Sequence, residues 1–230
     1  AALAGADPIV SSVLMRVSSP GGYVDGIFET LASIETFAKP ILVHAAHACS
    51  GAYALAAMAG KIHATNIAAA FGSIGVASSF YLDPQKLDIT STEAPNKRPD
   101  LATEEGRAVV RAELDAVHAL FVDAIARGRK NATGDSFTVA KVNAEFGRGS
   151  VLLADDAFSR GMVDKLAKKP KRGAQASAED IAGEMESLLK EEIISKYHAD
   201  TTFSAETLST PPLRESATRY VGARPGAPVP

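Results

Sequence analysis

Residues 11 to 65 alternate between short apolar runs and helical stretches, and this alternation constrains the fold more than any other feature. The runs SSVLMRV (11–17), ILVHAA (41–46) and KIHAT (61–65) predict three buried strands. Between them, VDGIFETLASIETFA (24–38) has apolar residues three or four positions apart, which predicts a helix, and GAYALAAMAG (51–60) predicts another. Strands that alternate with helices connect through right-handed crossovers, so the sequence predicts an α/β fold with a mainly parallel sheet and flanking helices.

Further along the chain the pattern predicts three more elements. FGSIGVASSF (71–80) is expected to turn and then form a strand, and a polar loop follows it. A long amphipathic helix comes next, with one apolar stripe made of Val110, Leu114, Val117, Phe121 and Ile125. FGRGSVLLADDAFSRGMVDKL (146–166) predicts a small strand and a helix that ends near Gly161.

The composition changes near AKKPKRG, which predicts two parts of the chain. We expect residues 1–172 to form one domain and residues 173–230 to form a linker, a helix and a flexible tail. The helix is expected over 178–197, with Ser177 placed to cap it. The last stretch is rich in proline, glycine and polar residues.

Charge and cysteine content argue against several classes of function. The net charge is −3, so we expect no nucleic-acid partner. A single cysteine, Cys49, excludes an internal disulfide and a multi-cysteine metal site, and we expect no metal or cofactor. The most apolar stretch, residues 41–59, contains two histidines, a serine and a glycine, so we expect no membrane span; no secretory signal is apparent either.

Ser50 is the first residue that could carry chemistry, because it stands between a predicted strand and a predicted helix. There its hydroxyl would meet the free N–H groups and the positive end of the helix dipole. Gly51 next to it would let a substrate carbonyl approach an N–H closely. A nucleophile would suit this position, but so would an ordinary N-cap serine.

Gly21 and Gly22 follow a predicted strand and Pro20, and the carboxyl end of a strand is where ligands collect in parallel sheets. Their amides could form an oxyanion hole, although an isolated PGG is more often only a tight turn.

A serine nucleophile needs a base, and the sequence offers lysines and histidines. Lys97 lies in the irregular segment EAPNKRPD, and a lysine in a desolvated site can act as a general base. Lys86 is a second candidate and His47 a third. The other histidines are expected to be structural, and no acidic residue stands ready to complete a Ser-His-Asp triad; these are His44, His63, His118 and His198.

Taken together, LMRVSSPGGYVDGIFE, AHACSGAYALAAMAGKIHAT, FGSIGV and FVDAIARGR resemble the signal peptide peptidase A family of serine peptidases in order and spacing. STEAPNKRPDLATEEG and FGRGSVLLADDAFSRGMVD resemble the branch of capsid-assembly proteases encoded by phages. The resemblance covers residues 8 to about 166, and the family's early strands would precede residue 1, so the chain is expected to be incomplete at its N-terminus.

The resemblance implies a Clp/crotonase-like fold and a Ser-Lys dyad, with Ser50 as nucleophile and Lys97 as general base. It also assigns Gly21, Gly22 and Gly51 to the oxyanion hole. It implies a homo-oligomer, with active sites that face an enclosed space and are built partly across subunit contacts. The implied substrates are scaffold or capsid-protein segments that are cleaved during head maturation, in the cytoplasm of the host cell or in the assembling virion. The C-terminal region could be scaffold-like or a target of autocleavage.

Alternatives from other classes stay open. A crotonase-like enzyme acting on acyl-CoA would use the same paired amides, but would need carboxylates in its cleft. A catalytically silent assembly protein could keep the fold. Cys49, directly before Ser50, is a rival nucleophile, and the family's second glycine after the serine is replaced here by Ala52.

Overall fold

The computed structural model describes residues 7–82, 85 and 87–167, together with the isolated positions 183, 187 and 190. The element order is β1 (Val13–Ser19), α1 (Ile27–Glu35), β2 (Ile41–Cys49), α2 (Gly51–Ala59), β3 (Lys61–Ala64), β4 (Ala70–Gly72), a short 3-10 helix (Pro95–Lys97), α3 (Glu104–Thr133), α4 (Val139–Glu145), β5 (Val151–Leu153) and α5 (Ala154–Ser159). The helix predicted over 178–197 and the predicted tail lie outside the described residues, apart from the three isolated positions.

Strand β2 is the centre of the sheet, because it pairs along both of its edges. Strand β1 runs parallel to it on one side. On the other side β3 pairs in parallel with the first half of β2, and β4 pairs in parallel with its second half. Strand β5 is antiparallel to β4. The described chain is therefore an α/β fold with a mainly parallel sheet, as the alternation predicts.

The structure corrects three local predictions. Strand β2 continues to Cys49 rather than stopping at residue 46, because its end pairs with β4. Within 71–80 the order is reversed: strand β4 comes first, and the chain then turns at Ser73, whose φ is 50°. Helix α4 was not predicted; it has seven residues, too few to show a clear periodicity, and the Thr138 side chain caps it.

The core is built around α2, which is buried on almost every side. Its alanines permit close approach by α3: a Cβ on Gly128 would lie 2.6 Å from the carbonyl oxygen of Ala57. Apart from Gly106, the buried residues of α3 lie in its second half and include Phe121 and Ile125, whereas the earlier members of the predicted stripe are half-buried. Helix α3 therefore extends beyond the core at its N-terminal end.

A buried ion pair joins α3 to the segment after α5. The Arg129 guanidinium donates through Nη1 to Asp164 Oδ2 at 2.9 Å and through Nη2 to Oδ1 at 2.5 Å. Its Nε also donates to the carbonyl oxygen of Gly161, and Asp164 Oδ2 accepts from the Ile62 N–H at 2.7 Å. One charge pair thus connects α3, β3 and residues 161–164.

Replacing Arg129 with methionine should destabilise the fold by about 3–5 kcal/mol, because it leaves the Asp164 carboxylate without its buried partner. The matched control is Arg127→Met on the same helix, where the side chain is 48% exposed and pairs with Glu35 and Asp123. That change should cost less than about 1 kcal/mol. Urea unfolding measures both, and equal losses would contradict the assignment.

His63 on β3 should make the free energy of unfolding fall at acidic pH. Its pKa is lowered to about 4, mainly by burial and then by the charge of Lys165; Asp164 opposes the shift, and His44 and Lys61 add to it. Unfolded His63 gains a proton below about pH 6.5, but folded His63 resists until about pH 4, so stability falls as pH drops through this window. The expected loss is on the order of 1–3 kcal/mol.

Unfolding in urea at about pH 7 and about pH 4.5 should show a smaller pH effect in His63→Gln than in the unchanged protein. If the two proteins lost the same free energy between these pH values, His63 would not be the responsible group.

Candidate active site

Ser50 is the single residue between β2 and α2, and its backbone is strained. Its φ is 51° and its ψ is −127°, a region that non-glycine residues rarely occupy. The Ser50 N–H donates to the carbonyl oxygen of Gly72 at 2.7 Å, and its own carbonyl accepts from the Tyr53 N–H at 2.9 Å. The side chain makes no capping hydrogen bond to α2, so it does not act as an N-cap.

Gly21 packs directly against this turn. A Cβ at this position would lie 2.7 Å from Ser50 Cβ and 2.9 Å from the carbonyl oxygen of Cys49, and φ at Gly21 is 107°. The Gly21 N–H donates to the Ser19 hydroxyl at 3.2 Å. Gly21 therefore serves close packing, and its amide already has an acceptor.

Gly22 and Gly51 bring two backbone amides close to Ser50. The Gly22 nitrogen lies 4.0 Å from the point where a Cβ on Gly51 would stand. Gly51 begins α2, so its N–H has no acceptor within the helix. Both residues line the same cavity as Ser50. Two amides beside a hydroxyl can bind an oxyanion that forms on a carbonyl attacked by that hydroxyl.

The cavity beside Ser50 has a volume of about 310 Å³ and no charged residue in its lining. Helix α1, helix α3 and the segment after β4 supply most of its walls; the apolar members include Ile27, Phe28, Val76, Ala77, Val117 and Phe121. We call this cavity the Ser50 cleft. It can hold an apolar side chain next to the hydroxyl.

Lys97 lies elsewhere in the described chain. It ends the 3-10 helix, is exposed and lines a second cavity of about 550 Å³ together with Asp100 and Glu113. No hydrogen bond connects it with Ser50 among the described residues. The structure of a single chain thus groups Ser50, Gly21, Gly22 and Gly51, and does not bring Lys97 to them.

The other candidate groups have weaker positions. His47 lies on β2 and does not line the Ser50 cleft. Burial raises the pKa of the Cys49 thiol, which favours the unreactive protonated form. Lys86 lies outside the described residues.

Sequence reasoning missed Ser73, which lines the Ser50 cleft. Its φ of 50° is unusual for a serine, and its N–H donates to the carbonyl oxygen of Ser150 at 2.9 Å. Its position depends on the pairing of β4 with β2, a long-range contact with no local signal; a serine next to the predicted FG turn was the only available hint.

Within the described ranges, no cluster of three or more histidine, cysteine, aspartate or glutamate side chains could hold a metal ion. In the same part of the chain, no helix combines the length and apolar character needed to cross a bilayer.

Substituting Gly21 with alanine should destabilise the protein more than substituting Gly26. Both glycines have positive φ, 107° and 75°, but a Cβ on Gly26 meets nothing within 4 Å. Gly26→Ala should cost roughly 1–2 kcal/mol of backbone strain, and Gly21→Ala should add about 1–3 kcal/mol from the collision with Ser50. Equal unfolding free energies in urea would show that Gly21 does not pack tightly on the turn.

Comparison with known proteins gives two results. Peptidase family S49 matches residues 35–182, a range that contains Ser50, Gly51 and Lys97 and begins after Gly21 and Gly22. Among solved structures, the chain is similar to the 1510-N membrane-bound stomatin-specific protease in a serine-to-alanine mutant form, with 10% sequence identity and a TM-score of 0.47. That match covers 69% of this chain and 65% of the other, so this chain spans less than two thirds of that protease. Since the family match extends over more than half of the 230 residues, the chain belongs to peptidase family S49.

Proposed function

We propose that the protein is a serine endopeptidase with Ser50 as its nucleophile. The observation that carries this proposal is the strained turn at Ser50, which holds a hydroxyl beside two backbone amides at an uncharged cleft. Strain of this kind is maintained where a side chain must be presented at a reactive site. Membership of family S49 supports the same reaction class.

The oxyanion hole in this proposal consists of the Gly22 and Gly51 amides. Gly21, also assigned to the hole by resemblance, contributes through close packing, because its N–H is already bonded to Ser19. Removing one donor from such a hole typically lowers the rate by about 10²–10³-fold.

Lys97 is the proposed general base, and we propose that it comes from a neighbouring copy of the chain. The lysine is exposed and lines a different cavity from Ser50. The same region exposes several large apolar side chains, which is typical of a surface that contacts another protein; they are Phe80, Tyr81, Leu82, Leu87 and Ile89. A homo-oligomer would cover these side chains and could carry Lys97 to the partner's serine.

The reaction then follows two half-steps. Neutral Lys97 takes the Ser50 proton while Oγ attacks the peptide carbonyl, and the two amides bind the oxyanion. The C–N bond breaks, the Lys97 ammonium gives its proton to the leaving amine, and an acyl-enzyme remains. Water attacks the acyl-enzyme, Lys97 takes the water's proton, and Ser50 regains a proton from Lys97 as the product acid leaves.

The proposed substrates are scaffold or capsid-protein segments cleaved during phage head maturation, inside the host cell or the assembling virion. This part rests on the resemblance of the loop containing Lys97 and of residues 146–164 to the phage branch. The Clp/crotonase-like fold and the division into a peptidase domain, 1–172, and a C-terminal part, 173–230, belong to the same proposal.

Ser50→Ala and Lys97→Ala should each lower cleavage of casein or a candidate scaffold protein by about 10⁴-fold or more, since the nucleophile and its base act as a unit. Lys130→Ala, an exposed lysine on α3, is the matched control and should retain activity. Circular dichroism checks that every variant is folded.

An active Ser50→Ala protein would refute the peptidase proposal and favour a silent assembly protein, or a crotonase-like enzyme if the chain binds acyl-CoA. An active Lys97→Ala protein would place the base elsewhere, with Lys86 or His47 next.

Mixing the two inactive variants tests the origin of the lysine. If Lys97 acts across a contact, mixed oligomers of Ser50→Ala and Lys97→Ala contain some sites that have both the serine and the lysine. When the two variants mix randomly in equal amounts, about a quarter of the sites have both groups, so about a quarter of the activity should return. If the lysine acts within its own chain, every site lacks one group and the mixture stays inactive. Co-expressing the two variants lets mixed oligomers form as the chains assemble, so the test does not require finished oligomers to exchange subunits.

A further inference from the structure

Tyr23 follows Gly22 in the chain and lies at the edge of the Ser50 cleft. The residue is 94% exposed, although it lines the cleft together with Ser50 and Gly51. Across the described part of the chain, its hydroxyl has no hydrogen-bond partner. An aromatic side chain left in water at a cleft offers apolar area that a molecule bound in the cleft would cover.

We propose that Tyr23 contacts the substrate and selects for an apolar side chain in a residue next to the cleaved bond. This inference rests on the proposed function of Ser50, because it takes the bound peptide to lie along the Gly22 and Gly51 amides.

The position of Tyr23 in the chain supports direct contact. It follows Gly22 immediately, so its Cα lies about 3.8 Å from that of a proposed oxyanion donor. A carbonyl bound at the Gly22 amide therefore brings the neighbouring substrate residue within reach of the ring. Val24, which is also partly exposed and lines the cleft, extends the same apolar rim.

The character of the cleft explains which side chain would be selected. No charged residue lines it, and its inner wall includes Ile27, Val117 and Phe121. A charged substrate side chain would lose its hydration there without gaining a partner, whereas an apolar one would be covered by the wall on one side and by the Tyr23 ring on the other. Tyr23 is thus a specificity-determining residue for peptides with an apolar residue at this subsite.

The experiment compares enzyme variants and peptide variants in one cycle. The bond cleaved in casein is first located by mass spectrometry, and fluorogenic peptides are then made around it. Two pairs of peptides are made: one pair varies the residue before the cleaved bond, and the other varies the residue after it. Within each pair, one peptide carries leucine at the varied position and the other carries glycine. The enzymes are the unchanged protein, Tyr23→Ala, Tyr23→Phe and the matched control Phe158→Ala, an exposed aromatic residue on α5 that does not line the cleft.

Tyr23→Ala should raise KM by about 5- to 30-fold for the leucine peptide on one side of the bond. Its KM for the matching glycine peptide and its kcat for both should change less than about twofold. Tyr23→Phe should behave as the unchanged protein, because the hydroxyl has no partner, and so should Phe158→Ala. A purely structural role for Tyr23 would affect both peptides alike.

If Tyr23→Ala changed KM equally for the leucine and glycine peptides, or for neither, the inference about Tyr23 would be overturned. The proposed function would still stand as long as cleavage required Ser50. If the unchanged protein cleaved casein no faster than Ser50→Ala, the proposed function would fail and this inference with it. The two failures are therefore distinguishable.

Discussion

The left-handed turn at Ser50 is the constraint on which the rest of the site depends. A serine is held at a φ of 51° only because its neighbours leave no alternative. The Ser50 N–H donates a hydrogen bond to the carbonyl oxygen of Gly72 at the end of β4. Gly21, which follows β1, packs against the Ser50 side chain. The central strand β2 pairs with both of those strands. The parallel sheet therefore brings three strand ends together, and their bends support one another around a single hydroxyl.

Support for this turn extends outward through backbone contacts. Gly72 is placed by the antiparallel pairing of β4 with β5, and a Cβ on it would lie 2.5 Å from the carbonyl oxygen of Ser150. The same oxygen accepts the Ser73 N–H. Ser150, in the loop before β5 and far from Ser50 along the chain, thus contacts the bend at Gly72 and Ser73, and Gly72 in turn accepts the hydrogen bond from the Ser50 N–H. The Arg129–Asp164 pair instead makes its hydrogen bonds to Gly161 and Ile62 and none to the turn at Ser50.

Local pattern was sufficient to predict the elements with clear periodicity and the residues at strand ends. Strands β1 and β2, helix α2 and the turn at Ser50 follow from apolar runs interrupted by glycine and serine, and parallel strands place their carboxyl ends at one edge. The order within 71–80 could not be predicted, because β4 is fixed by pairing with β2 rather than by its own three residues. The different roles proposed for Gly21 and Gly22 rest on one hydrogen bond from the Gly21 N–H to the Ser19 hydroxyl, which composition does not reveal. Ser73 was missed for the same reason as β4.

The separation of the proposed nucleophile and the proposed base between two cavities has a physical consequence for the proposed enzyme. A serine hydroxyl without a base is a weak nucleophile, and a lysine amine acts as a base only in its neutral form, which burial favours. Bringing both groups into one covered interface would remove water from the lysine and give the serine its base in the same event. Exposed apolar side chains near Lys97 would supply the free energy of that contact. In such an arrangement each chain already contains the strained turn, the amides and the apolar cleft, and the proton acceptor is added only when a second chain binds. Activity would then be confined to the assembled state by the same burial that stabilises it.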